Sequence, residues 1–314
     1  MSPTPISNAR NFPSGPLCVE PNRGRQLLEA ARAAGGYAGT GLERTSLRVD
    51  GDGVAVIGIH GLMVKDPISW GGFCATATVR TQIRAAVARD DVRAVLLHVS
   101  SPGGFVDGVN DLAADVAAAA KRKPVECFIE DIGASAAYWV ASQAAKIWAN
   151  PTAIVGSLGT FQVLWDESNA YDAAGIKVHV LSTGPLKGAG QPGTEITDEF
   201  LAAERVLVAD LNRHFMKAVA SGRRLTPKQL EVAATGEVWI AAKAKDLGLV
   251  DGIRTLDDVV ADLAEVPDVA SRGRALRARV RFELEAGAIE PPAAPTPLRD
   301  RAARAIDDAR GATS

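Results

Sequence analysis

Ser135 is the residue whose sequence setting best suits covalent catalysis. It lies in Gly133-Ala134-Ser135-Ala136-Ala137, after an apolar run of strand length and before a helical pattern. The small neighbours leave its hydroxyl uncovered, and the glycine permits the tight turn that presents a nucleophile. A serine at the start of a helix is also a common N-cap, so the motif taken alone favours that structural role.

A serine nucleophile needs a base, and Lys187 is the main candidate. It lies in the segment 184–193, which is rich in glycine and proline, and no acidic residue flanks it to hold its proton. A lysine acts as a base near neutral pH only where burial lowers its pKa from about 10.4 to roughly 7 or 8, a difference of about 4 kcal/mol. The structural alternative is a solvated loop lysine, which is the common fate of this residue type.

The histidines are weaker candidates for the base. The chain has four histidines, His60, His98, His179 and His214. None of them lies in a glycine-rich or Asp-flanked loop. His60 and His98 fall at the ends of apolar strand patterns, close to the candidate site loops. A Ser/His arrangement therefore stays open beside the Ser/Lys one.

Gly103 and Gly104 form a candidate oxyanion hole. They stand in Ser-Ser-Pro-Gly-Gly, where the apolar run 94–99 ends and a helical pattern begins. Consecutive glycines let backbone N–H groups approach a substrate oxygen closely, and the N-terminus of a following helix would add positive potential there. An ordinary strand-to-helix turn is the structural alternative.

The elements that must position these residues alternate along the chain. Short apolar runs of strand length alternate with alanine-rich helical patterns from residue 53 onward. Strands are predicted at 54–59, 94–99, 124–129 and 147–149, and helices at 78–88, 106–120 and 135–145. This alternation is typical of βα units around a largely parallel sheet, so the sequence predicts an α/β fold.

Helices and loops are predicted outside this core. Segment 184–193 is predicted to be a loop because glycine and proline exclude a regular element. A long helix is expected at about 198–220, capped by Thr197, and a second helix is expected to start at Thr226-Pro227. Further helical patterns cover 23–34 and 254–285, and a Pro-rich linker at 291–297 precedes a short charged tail.

Composition excludes several classes of function. The 35 basic and 37 acidic residues give a net charge of −2, which offers no field to gather nucleic acid or an anionic membrane. The three cysteines lie far apart without CxxC spacing, which argues against a zinc site or a disulfide framework. No cofactor is expected. The uncharged stretch 147–165 is broken by proline and glycine, and no secretory signal opens the chain, so we expect no membrane span and a cytoplasmic location.

Five motifs, in order, resemble the signal peptide peptidase A family of serine/lysine peptidases. They are Ser-Pro-Gly-Gly at 101–104, Ala-Ser-Ala-Ala-Tyr at 134–138, Val-Gly-Ser-Leu-Gly at 155–159, the Lys187 loop, and Gly-Glu-Val-Trp at 236–239 running into residues 244–251. The resemblance implies a Clp-protease/crotonase-like spiral of ββα units with C-terminal helices. It implies that Ser135 is the nucleophile, Lys187 the base, and Gly103 with Gly104 the oxyanion loop. Ser157 would orient the lysine or serve a structural role. The family usually has Ser-Gly-Gly-Tyr where this chain has Ser-Ala-Ala-Tyr, which bears on substrate preference.

The same resemblance suggests a division of the chain and a biological setting. Residues 1–50 would be an N-terminal extension, 51–265 the serine/lysine peptidase domain, and 266–314 a helical and Pro-rich tail. A short Pro-containing leader at 15–21 favours the lambda-type phage capsid maturation (prohead) proteases, which act inside the prohead in the host bacterium. That branch implies scaffold, portal or coat proteins as substrates and a homo-oligomer with helix 198–220 as a candidate contact. The alternatives are a bacterial enzyme that degrades leftover signal peptides and a non-catalytic scaffold of the same fold.

Overall fold

The computed structural model describes residues 16–19, 47–67 and 72–267. Nearly all of them belong to one compact unit that extends to Val266. The helix predicted at 23–34, the Pro-rich linker and the charged tail lie outside the described residues, so those predictions stay open. The described helices include none that is both long and apolar enough to cross a membrane.

Twelve strands and eight helices are found in the described residues. The strands are β1 (Leu17–Val19), β2 (Arg48–Val49), β3 (Val54–His60), β4 (Leu62–Val64), β5 (Phe73–Ala75), β6 (Ala94–Ser101), β7 (Gly103–Phe105), β8 (Val125–Ala134), β9 (Lys146–Ala149), β10 (Ile154–Gly156), β11 (Val238–Ile240) and β12 (Gly252–Ile253). The helices are α1 (Thr76–Ala88), α2 (Val109–Ala120), α3 (Ala136–Ala141), α4 (Ser168–Ala173), α5 (Asp198–Arg223), α6 (Pro227–Ala233), α7 (Ala241–Asp246) and α8 (Leu256–Ala264).

The main sheet has a parallel centre. Its order is β11-β10-β8-β6-β3-β2, and β9 joins it at β8 and in turn pairs with β12. The strands from β3 to β10 in this order run parallel, while the two outer strands β2 and β11 pair antiparallel. The first four residues of β6, Ala94–Leu97, are fully buried, as expected for a strand covered on both faces. The predicted α/β class is confirmed.

A second, smaller sheet gives the fold its spiral character. Its order is β1-β7-β4-β5. Two successive units place one strand in the main sheet, add shorter strands to the second sheet, and then form a helix: β3-β4-β5-α1 and β6-β7-α2. The second is a ββα unit of the kind that the family resemblance implies, and the first has one additional strand.

The structure corrects the prediction around Gly103 and Gly104. These glycines do not open a helix, because they begin strand β7, which pairs with β1 on one side and β4 on the other. Helix α2 starts only at Val109. The prediction that the N-terminus of a following helix adds positive potential at Gly103 and Gly104 is therefore wrong. The backbone N–H and C=O groups here pair with the neighbouring strands, so they are not available for a helix.

The C-terminal helices agree well with their sequence signals. Thr197 caps α5 by accepting a hydrogen bond from the Phe200 amide, and Thr226 forms a capping box with Gln229 at the start of α6. The helix predicted over 254–285 is shorter in its described part, because α8 ends at Ala264.

Candidate active site

Ser135 lies at a sharp turn between β8 and α3. It is fully buried and has a φ of 54°, which is uncommon for a residue with a side chain. Its amide donates a hydrogen bond to the Gly156 carbonyl at 2.8 Å, and its carbonyl accepts one from the Trp139 amide at 2.8 Å. Its hydroxyl has no hydrogen-bond partner among the described residues and caps no helix amide. The N-cap interpretation is therefore wrong: the backbone is held while the hydroxyl is left available.

Helix α3, which follows Ser135, is held by buried packing contacts and by a side-chain hydrogen bond. All six residues of α3 are buried, and Trp139 stacks on Phe215 of α5 with ring centroids 4.9 Å apart. The Tyr138 hydroxyl donates to the Leu249 carbonyl at 2.8 Å, and burial raises the pKa of this phenol, so it stays a neutral donor. The turn that carries Ser135 thus rests on a packed support.

Gly103 lies directly against this turn. A Cβ atom on Gly103 would lie 2.3 Å from the Cys18 carbonyl oxygen, 2.8 Å from the Ala136 amide nitrogen and 3.0 Å from the Ala134 carbonyl oxygen. Its φ of 98° also requires glycine. The close approach brings the candidate oxyanion strand beside the amide of the residue that follows Ser135.

The amides near Gly103 differ in availability. The Gly103 amide donates to the Ser101 hydroxyl at 3.2 Å, and that hydroxyl donates to the Gly61 carbonyl at 2.6 Å. Gly104, the other predicted glycine, lies opposite Cys18 in the pairing of β7 with β1. The Ala136 amide is a second donor that the sequence interpretation missed, although the residue after a nucleophile at such a turn commonly supplies one.

Ser157 lies next to Ser135 across a strand pair. Strands β8 and β10 run parallel with Gly156 opposite Ala134, so the two serines are the next residues of neighbouring strands. Ser157 is 5% exposed and has a φ of 52°, and its amide donates to the Glu237 carbonyl at 2.6 Å. Ser157 comes directly after the end of β10. We call Gly103, Gly104, Ser135, Ala136 and Ser157 the Ser135 corner.

The family motif at 236–239 and 244–251 supports this corner. Glu237 comes directly before β11, which pairs with β10. Asp251 accepts hydrogen bonds from the Ile147 amide at 2.7 Å and from Arg223 at 2.8 Å. Arg223, whose side chain is 7% exposed, also donates to the Gly248 carbonyl at 3.1 Å. Four of the five motifs therefore surround or brace Ser135.

The remaining motif, around Lys187, lies in an exposed part of the described chain. Lys187 is exposed. Because the Ser135 hydroxyl has no partner among the described residues, the lysine does not hydrogen-bond to it. Residues 163–195, which we call the Lys187 segment, expose large apolar side chains: Val163 (53%), Trp165 (77%), Leu181 (98%) and Leu186 (41%).

The histidines do not replace the lysine in this arrangement. His98 Nε2 lies 3.0 Å from a carboxylate oxygen of Glu130, and its ring lies 4.7 Å from that of His60. His179 and His214 are exposed. None is bonded to Ser135. Across residues 16–19, 47–67 and 72–267, no cluster of three or more His, Cys, Asp or Glu side chains is placed to hold a metal ion.

Comparison with known proteins shows which family the chain resembles. Residues 117–270 match peptidase family S49. The chain belongs to this family. It is 33% identical to Protease 4 of Salmonella typhi over 69% of the chain and 35% of that protein. It is 23% identical to capsid assembly protease C of phage lambda over 79% of the chain and 57% of that protein.

The S49 chain described here thus spans roughly a third to somewhat over half of these two relatives. A solved structure of an enoyl-CoA hydratase/isomerase family member aligns with 74% of the chain at a TM-score of 0.41 and 16% identity.

Proposed function

We propose that the chain is a serine endopeptidase with Ser135 as the nucleophile and Lys187 as the general base. The observation that carries the proposal is the Ser135 hydroxyl, which is buried and unbonded on a positive-φ turn beside Gly103. Such a turn is costly for serine and persists where the surrounding structure enforces it, which is common at catalytic residues. Membership of a peptidase family supports the same conclusion.

The reaction follows from the groups at the corner. Neutral Lys187 removes the Ser135 proton, and the serine oxygen attacks the peptide carbonyl. The amides of Gly104 and Ala136 bind the oxyanion, and one such donor is typically worth about 3 to 4 kcal/mol. The lysine then protonates the leaving amine, and water hydrolyses the acyl-enzyme.

Lys187 reaches Ser135 only if the Lys187 segment is covered and rearranged, and we propose that a second copy of the chain does this. The exposed apolar side chains of the segment support the idea, since apolar surface concentrated in one place marks an interaction site. Helix α5 adds Val206 (61% exposed) and Leu207 (44%). Burial in this contact would also favour the neutral lysine, and Ser157 is placed beside Ser135 to orient it.

For the biological role we propose capsid maturation in a phage, with scaffold, portal or coat protein as the substrate. The phage lambda protease supports this role because it aligns with 79% of the chain. The alternative is a bacterial enzyme that degrades leftover signal peptides, supported by the higher identity, 33%, to Protease 4. Neighbouring portal, terminase and coat genes would favour the phage role. A non-catalytic scaffold is disfavoured because Ser135, Gly103 and Lys187 are all present.

The test is loss of cleavage in Ser135→Ala and Lys187→Ala. Each variant is co-expressed with the adjacent head-protein genes, and the products are read by mass spectrometry. We expect both to abolish cleavage with little change in thermal unfolding, since the Ser135 hydroxyl makes no hydrogen bond and Lys187 is exposed. Lys177→Ala is the matched control, because Lys177 is exposed in the same segment and pairs with Asp172 at 2.6 Å. Near-native turnover in Lys187→Ala would contradict the base assignment and direct attention to His60 and His98.

A further inference from the structure

Strand β1 occupies a slot between two backbone edges at the Ser135 corner. Residues Leu17–Val19 pair antiparallel with β7, with Cys18 opposite Gly104. On the other edge, the Leu17 amide donates to the Phe161 carbonyl at 2.8 Å and the Phe161 amide donates back to Leu17 at 3.0 Å. The three residues are therefore held as an extended peptide from both sides.

The Cys18 carbonyl faces the amides assigned to the oxyanion hole. In an antiparallel ladder, successive residues direct their N–H and C=O groups to opposite neighbours. Because Leu17 exchanges its hydrogen bonds with Phe161, Cys18 directs its own toward Gly104. The Cys18 oxygen and the Ala136 amide nitrogen also converge on the point where a Gly103 Cβ would stand, at 2.3 and 2.8 Å. A peptide carbonyl of this chain thus lies where the proposed mechanism needs one from a substrate.

The side chains of β1 fit the same description. Cys18 is fully buried, with its thiol sulfur 3.1 Å from the Thr160 hydroxyl oxygen, and Val19 is 6% exposed. Burial raises the pKa of the Cys18 thiol to about 11. The slot therefore accepts a small side chain at the Cys18 position and shields it from solvent.

Without β1, the slot would present two unpaired backbone edges, one on β7 and one at Phe161. An extended peptide that adds a strand to such an edge gains main-chain hydrogen bonds, which is a common mode of peptide recognition. A protein substrate and β1 would compete for the same donors and acceptors, so the two cannot be bound together.

We infer that residues 16–19 are a built-in competitive inhibitor that occupies the substrate strand position, and that a substrate must displace them. The inhibitory role rests on the proposed peptidase function, whereas the occupancy and its displacement do not. The occupant also indicates the substrate class: an extended peptide with a small apolar residue at the position of Cys18.

Displacement is tested on the full chain carrying Ser135→Ala, so that no cleavage intervenes. Iodoacetamide alkylation of Cys18 is followed by mass spectrometry, with and without a synthetic peptide of residues 14–21 in which serine replaces Cys18. We expect saturating peptide to raise the Cys18 alkylation rate at least fivefold. Cys74 and Cys127, which are fully buried, should not change and serve as internal controls. A Cys18 rate that stays constant up to millimolar peptide would overturn the inference.

Inhibition is tested with two variants at one position in the active chain. Leu17→Pro removes the amide that donates to Phe161, whereas Leu17→Ala keeps it. We expect Leu17→Pro to cleave a peptide substrate several-fold faster at low substrate concentration, through a lower KM, and Leu17→Ala to resemble the unmodified chain. A Leu17→Pro protein with unchanged KM would overturn the inhibitory role. Faster Cys18 alkylation in the Ser135→Ala chain, together with no peptidase activity in the unmodified chain, would instead keep the displacement and refute the proposed function. The peptide competition needs no variant of β1, so a poorly folded Leu17→Pro would leave the inference testable.

Discussion

The Ser135 corner and the Lys187 segment belong to one chain but are built in opposite ways. The corner lies at the ends of paired parallel strands, and its serines are buried, with their backbone hydrogen-bonded to neighbouring strands. The Lys187 segment has no strand and a single short helix, α4, and most of its side chains are exposed. The difference teaches that the described residues hold the proposed nucleophile and oxyanion donors in a packed, hydrogen-bonded setting, while the proposed base lies on an exposed segment.

The largest expected effect comes from breaking the corner with Gly103→Ala. The added Cβ would overlap three backbone atoms, and the φ of 98° strains any side chain. We expect at least about a 100-fold loss of cleavage and a loss of about 2 to 5 kcal/mol in the free energy of unfolding. Urea unfolding and a peptide cleavage assay measure the two effects.

Gly184→Ala is the matched control in the Lys187 segment. An added Cβ there meets nothing within 4 Å, so stability and activity should stay close to those of the unmodified chain. Equal effects of the two substitutions would remove the contrast between the two regions.

The next effect, on stability alone, is expected from weakening the support behind the corner. Phe215→Ala removes a fully buried ring that stacks on Trp139, and such truncations cost about 3 to 5 kcal/mol. Lys217→Ala, on the exposed side of the same helix, should change stability by no more than about 0.5 kcal/mol. Thermal and urea unfolding measure both variants. A minor effect of Phe215→Ala would mean that α5 does not support the turn.

The smallest expected signal comes from an experiment that tests whether the lysine acts on the serine of its own chain or on that of another copy. Co-expressed Ser135→Ala and Lys187→Ala subunits should recover about a quarter of the unmodified activity if each site joins a serine from one copy to a lysine from the next. With random assembly, one junction in four pairs an intact serine with an intact lysine. Each variant expressed alone provides the blank. A mixture as inactive as its components would place the dyad within one chain.

Local sequence signals predicted most of the core because local chemistry determines it. The apolar run at 94–99 is buried as β6, and the cap at Thr226 acts as expected, since both depend on residues close in sequence. The motif of small residues around Ser135 also led to the turn, because only small side chains permit such close packing.

The remaining features depend on contacts between distant residues. Nothing in Leu17-Cys18-Val19 signals a strand until β7 and Phe161 supply its partners. Gly103 and Gly104 form a strand for the same reason. The position of Lys187 next to Ser135 stays a prediction, because in the described residues Lys187 is exposed and the Ser135 hydroxyl has no partner.

The bond from Tyr138 to Leu249 joins residues 111 positions apart, and the bond from Ile147 to Asp251 spans 104. A ribosome makes the N-terminal partner of each pair first. The helix behind Ser135 therefore lacks these anchors throughout translation of the intervening hundred residues. A nascent chain still attached to the ribosome short of Asp251 would carry Ser135 without its full support, so the proposed peptidase activity would begin only after synthesis has passed that point.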